Sequence, residues 1–244
     1  MAKKGGKWRG VIDYRELNSA TVNDSYPLPR ITDILVRQGA RHLFTVLDLK
    51  DAFHQVPMAE SSRPATGMST PLGLMQWRVL PQGVKNGPAI FQRVVEWVLQ
   101  DVMDVADPYF DDIIIGTERL PGMTDAQLVA QHEVDVRRVL DKLAEHLLVA
   151  DFKKSVLFST AVEFCGHVLE DGQRRPCAGK LMSVQKFELP RTITALRGFL
   201  GLTNYYSEYI MGYAELAATL MEKMNVPGAE GKKGSKTMRW LSNV

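Results

Sequence analysis

Apolar residues recur at helical spacing in several segments of the chain, which predicts amphipathic helices there. Pro88 suits the first turn of one of them. Thr124 and Gln127 form the pattern of a capping box at the start of another. The helices are predicted over about 30–37, from 88 to 102, and over about 125–147, 192–206 and 213–224.

Shorter apolar runs, rich in β-branched residues, predict strands between these helices. After the last predicted strand, at 162–169, a turn is expected at Asp171 and Gly172. The stretch 226–237 is typical of a linker. Because helices and strands alternate irregularly, the pattern favours an α+β or mixed α/β fold over a barrel. The predicted strands are 43–49, 76–80, 109–115 and 162–169.

Composition narrows the class of protein only modestly. The chain has 244 residues, 45% of them hydrophobic, which is enough for one or two compact units. A net charge of +2 permits nucleic-acid binding without arguing for it. Cys165 and Cys177 are too few for a disulfide framework, so we expect a reducing compartment. We expect no membrane span, because the chain has no apolar run of sufficient length.

Carboxylates inside apolar runs are the main chemical signal of the sequence. Asp111 and Asp112 lie in YFDDIIIG, and Asp48 lies in FTVLDL. A carboxylate in such surroundings is costly unless it is paired or binds a metal ion. Three aspartates at strand ends would suit a two-metal site for phosphoryl transfer. The spacing alone leaves open that Asp48 caps a turn and that one of the pair meets a lysine.

Seven sequence blocks in a fixed order carry a resemblance to a known family. They resemble the motifs of reverse transcriptases from long-terminal-repeat retrotransposons, closest to the Ty3/gypsy class, with retrovirus-like features. The blocks are KWRGVIDYRELN, YPLPRITDIL, LDLKDAFHQVPM, LPQGVKNGPAIFQRVV, YFDDIII, DFKKSVLF with VEFCGHVL, and LRGFLGLTNYYSEYI.

The resemblance implies an α+β fold of the right-hand polymerase type, a palm of antiparallel sheet backed by helices. Partial fingers are expected over 1–42, and the palm with its primer grip over 43–170, interrupted by a fingers segment at about 56–90. Thumb- and connection-like helices would follow over 171–225. We expect 226–244 to be a linker, so the chain would be a polymerase core without an RNase H domain.

The resemblance also implies a catalytic set. Asp48 and Asp111 would be the main ligands of two Mg²⁺ or Mn²⁺ ions, with Asp112 as an accessory ligand. Lys154 would act as the general acid that protonates the leaving pyrophosphate. The neighbouring Lys153 leaves that last assignment open, because either lysine could be a surface charge.

Two groups of residues would bind the nucleotide and the primer. Phe53 would exclude the ribose 2′-hydroxyl, although it could equally be plain core. His167 could equally be an exposed strand residue, and the basic N-terminal residues could be a solvated terminus. The nucleotide-binding residues implied are Lys3 or Lys4 with Arg9, the Leu49 carbonyl, Phe53, Gln82 and Gly83. The primer-grip residues implied are Phe164, Cys165, Gly166 and His167.

The function implied is that of an RNA-directed DNA polymerase. It would extend a primer on an RNA or DNA template with deoxynucleoside triphosphates, in the cytoplasm or in a particle. Protein partners or a dimer are left open. The alternative is a catalytically silent domain recruited as a structural subunit of a ribonucleoprotein or organellar assembly.

Overall fold

The computed structural model describes residues 12–222, which divide into two compact units. The first comprises residues 12–164 and 169–173, and the second comprises 165–168 and 174–222. Within 12–222, no helix is both long and apolar enough to cross a membrane. The predicted linker at 226–244 lies outside this range, and the division into fingers, palm and thumb stays a prediction.

Within residues 12–222, α-helices occupy the segments that helical periodicity predicts, and two further short α-helices are present. The capping box is confirmed: the Gln127 N–H donates to Thr124 Oγ1 at 3.3 Å, and the Thr124 N–H donates to Gln127 Oε1 at 2.9 Å. The helices are α1 (Arg15–Ala20), α2 (Ile31–Gly39), α3 (Gly87–Leu99), α4 (Asp125–Glu145), α5 (Ala178–Gln185), α6 (Ile193–Asn204) and α7 (Tyr213–Glu222).

In the part of the chain that the structure describes, the strands form three sheets. A four-stranded antiparallel sheet in the order β4-β5-β1-β6 is the centre of the first unit, β2 pairs with β3, and the remaining strands follow the order β7-β8-β9. The strands are β1 (Leu43–Asp48), β2 (Met68–Thr70), β3 (Gly73–Met75), β4 (Ala106–Tyr109), β5 (Asp112–Thr117), β6 (Val156–Ser159), β7 (Ala161–Phe164), β8 (His167–Glu170) and β9 (Gln173–Pro176).

The central sheet is buried on both faces at β5. Ile113 and Ile115 join the core that α3 and α4 complete, together with Phe91. Ile114 points to the opposite face because side chains alternate along a strand, and it is also fully buried. Burying each such side chain contributes about 1.5–3 kcal/mol, so β5 is held firmly in place.

Three strand predictions were wrong, and each has a local cause. Residues 76–80 form a single bridge, between Pro57 and Val79, rather than a ladder. The run 109–115 is a hairpin that turns at 110–111, where Phe110 adopts a φ of 52°. The run 162–169 likewise turns at 165–166, where Cys165 and Gly166 both have positive φ. Because the apolar run continues through the turn in each of these two hairpins, the pattern of hydrophobicity does not reveal the turn.

A buried polar network ties α4 to the central sheet. The two ring nitrogens of His132 each lie 2.8 Å from a threonine hydroxyl, that of Thr45 on β1 and that of Thr117 on β5. Thr117 also donates to Asp135 at 2.6 Å. His132 is fully buried, and this burial lowers its pKa from 6.5 to about 4 despite the nearby Asp135 carboxylate.

His132 should make the stability of the protein depend on pH. The unfolded chain binds a proton at this imidazole more readily than the folded chain does. The contribution is therefore complete above pH 6.5 and is lost as the pH falls toward 4. Asp112, whose pKa is raised to about 6, changes the stability in the opposite sense over the same pH range, so the test compares two proteins. When the pH is lowered from 7 to 5, the free energy of unfolding measured in urea should change less favourably in the wild type than in His132→Gln, by on the order of 1–3 kcal/mol.

His54→Gln is the matched control, since His54 lies partly exposed and stacks on Trp77 outside this network. Its free energy of unfolding should change between pH 7 and pH 5 by the same amount as that of the wild type. If the free energy of unfolding of His132→Gln also changes by the wild-type amount, His132 is not a source of the pH dependence.

Candidate active site

The register of β1 against β5 brings the three candidate carboxylates to one end of the central sheet. Asp48 is the last residue of β1, and its Cα lies opposite that of Asp112, the first residue of β5. The Leu49 N–H donates to the Asp111 carbonyl at 2.7 Å, which fixes the turn between β4 and β5 against the end of β1. The sequence prediction that these three residues meet is consistent with this geometry.

Lys154, rather than Lys153, faces the carboxylates. Its Nζ lies 2.7 Å from Asp48 Oδ1 and 3.7 Å from Asp151 Oδ2. The loop before β6 is anchored to β1, because the Asp151 N–H donates to the Asp48 carbonyl at 2.7 Å and the Asp48 N–H donates to Ser155 Oγ at 3.2 Å.

The site carries an excess of negative charge. Burial, followed by the charges of Asp111 and Asp48, raises the pKa of Asp112 from 3.8 to about 6. Lys154 acts in the opposite direction on Asp112. The hydrogen bond to Asp48 raises the pKa of Lys154, so this ammonium stays protonated at neutral pH.

Carboxylate oxygens in unbalanced excess are the donor set that hard divalent cations prefer, so the chemistry of these residues fits Mg²⁺ or Mn²⁺. Between residues 12 and 222, no three His, Cys, Asp or Glu side chains are gathered closely enough to hold a metal ion as they stand. Asp48 has one oxygen engaged by Lys154. Cation binding at all three aspartates would therefore require Asp48 to exchange this contact.

A cavity of about 420 Å³ opens beside the carboxylates. Of the residues predicted to bind the nucleotide, every one inside the described range lines it. The lining includes Leu49, Phe53, Gln82, Gly83, Asp111 and Lys154. Lys3, Lys4 and Arg9 lie outside residues 12–222, so their role stays a prediction.

Phe53 packs against the core and also lines the cavity, and its predicted role in excluding the ribose 2′-hydroxyl stays a prediction. Its ring stacks on Phe91 of α3, with the ring centroids 5.1 Å apart, and it packs against the core. The same side chain lines the cavity. A ring held from behind in this way is well placed to limit what enters the cavity.

The loop that carries Gln82 and Gly83 is held by a residue that sequence reasoning missed. Asn18 Nδ2 donates to the Gly83 carbonyl at 2.9 Å, and Asn18 Oδ1 accepts from the Lys85 N–H at 2.7 Å. One amide side chain therefore pairs with both sides of the turn at Gly83, whose φ of 94° favours glycine.

Gln92 is a second missed residue, and it supports the turn that carries Asp111. Gln92 Oε1 accepts from the Phe110 N–H at 2.8 Å, and its Nε2 donates to the Pro108 carbonyl at 3.0 Å and to Glu96 at 2.8 Å. Gln92 is fully buried on α3. A polar residue on an otherwise apolar helix face was the signal that could have identified it.

The four predicted primer-grip residues are the last residue of β7, the two residues of the turn that follows it and the first residue of β8. Phe164 is buried in the first unit, and the other three belong to the second unit. His167 is not an exposed strand residue, since only 2% of it is accessible. Its side chain is enclosed by aromatic rings of the same unit.

The family profile and the related proteins that match this chain agree on one family. The sequence profile described as "Reverse transcriptase (RNA-dependent DNA polymerase)" matches residues 1–169. The retrovirus-related Pol polyprotein from transposon opus of Drosophila melanogaster is 35% identical over 215 residues, which are 88% of this chain and 20% of that protein. The enzymatic polyprotein of cauliflower mosaic virus (strain Strasbourg) is 32% identical over 230 residues, 92% of this chain and 32% of that protein. The chain thus spans between a fifth and a third of these relatives.

Solved structures agree on the fold. The foamy viral protease-reverse transcriptase in complex with double-stranded DNA has a TM-score of 0.84 and 26% identity, over 99% of this chain and 40% of that one. The same protein in complex with an RNA/DNA hybrid has a TM-score of 0.77 and 25% identity, over 96% of this chain and 30% of that one. This likeness confirms the predicted fold class. Since the family profile covers well over half of the sequence, the chain belongs to the reverse transcriptase family.

Proposed function

We propose that this chain is the polymerase core of an RNA-directed DNA polymerase that extends a primer with deoxynucleoside triphosphates by two-metal nucleotidyl transfer. One observation carries the proposal. The β1–β5 register places Asp48 and Asp112 opposite each other, next to Asp111 and beside a cavity of about 420 Å³. A cavity of this size accommodates a small-molecule substrate.

The three aspartates would hold Mg²⁺ or Mn²⁺ ions, which supply Lewis-acid activation of the attacking hydroxyl and neutralise phosphate charge when bound. Lys154 stays protonated beside Asp48, so it can donate a proton to the departing pyrophosphate. Phe53 would close the sugar side of the cavity, and Gln82 and Gly83 would contact the base pair that forms.

The nucleic-acid partner is a primed template. Structural neighbours of this chain were solved with double-stranded DNA and with an RNA/DNA hybrid. By this likeness we propose that the chain binds both kinds of duplex. An intracellular, reducing compartment remains a prediction, as do protein partners or a dimer.

Recruitment as a silent structural subunit is not favoured. A silent domain would have no need of three clustered carboxylates, one of which has a pKa raised to about 6 by burial and by its neighbours. Such clustering lowers the stability of the folded state, and strongly shifted pKa values of this kind are typical of functional sites.

Primer extension on an RNA template with Mg²⁺ or Mn²⁺ tests the proposal. The double variant Asp111→Asn, Asp112→Asn keeps the side-chain volumes and removes two carboxylates, so extension should fall at least about a hundredfold. Its thermal stability should be equal or higher. The raised pKa means that ionised Asp112 destabilises the folded state above about pH 6, and asparagine removes that charge.

Asp125→Asn is the matched control, because this exposed carboxylate lies at the start of α4, where it meets Arg119 at 2.6 Å, and does not line the cavity. It should extend primers like the wild type. A folded wild-type protein that extends no primer with either metal ion would refute the polymerase proposal.

Phe53→Ala should relax sugar selection. Opening the cavity beside the ribose should raise the incorporation of ribonucleotides relative to deoxynucleotides by roughly ten- to a hundredfold. The ratio of kcat/KM for the two nucleotides measures it. Val98→Ala is the control, since Val98 is buried in the same core on α3 but does not line the cavity, so the change should lower the unfolding temperature without changing the ratio. If this ratio is the same in Phe53→Ala as in the wild type, Phe53 does not select the sugar and acts only as a core residue.

Gln92→Leu should lower the rate of extension at least tenfold while the protein stays folded. The change leaves the Phe110 N–H and the Pro108 carbonyl buried without this partner, so the turn that carries Asp111 should shift. Gln131→Leu is the control, because Gln131 bonds Asp135 on α4 instead of the turn. Equal rates in the two variants would show that Gln92 does not position the turn.

A further inference from the structure

Three tyrosines in the segment after α6 surround the turn at Cys165–His167 within the second unit. The Tyr205 hydroxyl donates to the Cys165 carbonyl at 2.5 Å, and the Tyr206 hydroxyl donates to the Gly166 carbonyl at 3.3 Å. The Tyr209 hydroxyl lies 2.9 Å from His167 Nδ1. Three successive residues of the turn are thus each bonded by a different tyrosine.

The rings pack around the imidazole as well. The centroid of the His167 ring lies 5.3 Å from that of Tyr205, 5.3 Å from that of Tyr206 and 5.6 Å from that of Tyr209. Burial lowers the pKa of His167, so the imidazole is neutral here at physiological pH. Burial and the nearby Glu208 raise the pKa of Tyr209 to about 12, so this hydroxyl keeps its proton.

The turn itself needs such support. Cys165 and Gly166 have φ values of 47° and 76°, and the left-handed region is unfavourable for a residue with a Cβ such as Cys165. A Cβ at position 166 would lie 2.9 Å from the Tyr206 hydroxyl, so the close approach of this tyrosine requires glycine. The Gly166 carbonyl also accepts from the Cys177 N–H at 3.0 Å, which joins the turn to the start of α5.

We infer that Tyr205, Tyr206 and Tyr209 are positioning residues for primer use, which fix the backbone of the Cys165–His167 turn from behind. The inference rests on the proposed function, since this turn contains three of the four residues expected to grip the primer. The tyrosines would act through the turn, whose conformation they determine, and His167 would be the buried anchor of the cluster.

The double variant Tyr205→Phe, Tyr206→Phe tests the inference, because it keeps both rings and removes the two hydroxyls that bond the turn carbonyls. The single-turnover rate of primer extension should fall roughly ten- to a hundredfold, as expected for a displaced 3′ end. The fraction of active enzyme and the KM for the nucleotide should stay at wild-type values, whereas general destabilisation would reduce the active fraction instead. Hydrogen exchange at the Cys177 amide should become faster.

Tyr213→Phe is the matched control in the same unit. Its hydroxyl donates to the Leu200 carbonyl at 3.2 Å and lies 3.1 Å from Thr203 Oγ1, with both partners on α6. It should change neither the extension rate nor the exchange at Cys177. An unchanged rate in the double variant, or an equal loss in Tyr213→Phe, would overturn the inference.

The failure of the proposed function would be recognised separately, as absence of extension by the wild-type protein. Affinity for a primed template and exchange at the Cys177 amide would then decide the inference. Weaker binding with faster exchange in the double variant would support it, and wild-type values for either would overturn it.

Discussion

The antiparallel register of β1 against β5 is the constraint on which the candidate site depends. It sets Asp48 opposite Asp112 and leaves Asp111 in the turn, where the Leu49 N–H holds its carbonyl. A slip of one residue would move every side chain of β1 to the other face of the sheet and separate the carboxylates. The fully buried Ile113, Ile114 and Ile115 make such a slip costly, so the apolar interior of β5 fixes the position of the charged residues at its end.

Polar side chains that bond backbone groups complete the site. Gln92 holds the turn that carries Asp111, Asn18 holds the loop that carries Gly83, and Ser155 meets the Asp48 N–H. None of these side chains needs to touch a substrate to matter. Each satisfies backbone groups where the chain leaves regular structure, so these hydrogen bonds help to fix the segments around the site.

Much of this architecture could be predicted from the sequence, because the elements with clear periodicity are stabilised by the face they bury. The helix that begins at Thr124 and the strand that ends at Asp48 are of this kind. The two hairpin turns were missed because Phe110 and Cys165 adopt positive φ inside apolar runs, and tertiary hydrogen bonds from Gln92 and Tyr205 provide what a local turn sequence usually provides. Those partners lie 18 and 40 residues away, so no local pattern reveals them.

The electrostatics of the site follow from the same geometry. The fold places Asp112 in a half-buried position beside two other carboxylates and one lysine, and burial, followed by the charges of Asp111 and Asp48, raises its pKa. Ionising Asp112 at neutral pH therefore opposes folding, and the apolar interior of the sheet offsets this cost. The negative charge that the register concentrates at one end of β1 and β5 is unfavourable for the chain alone, and it is the charge that the proposed divalent cations would neutralise.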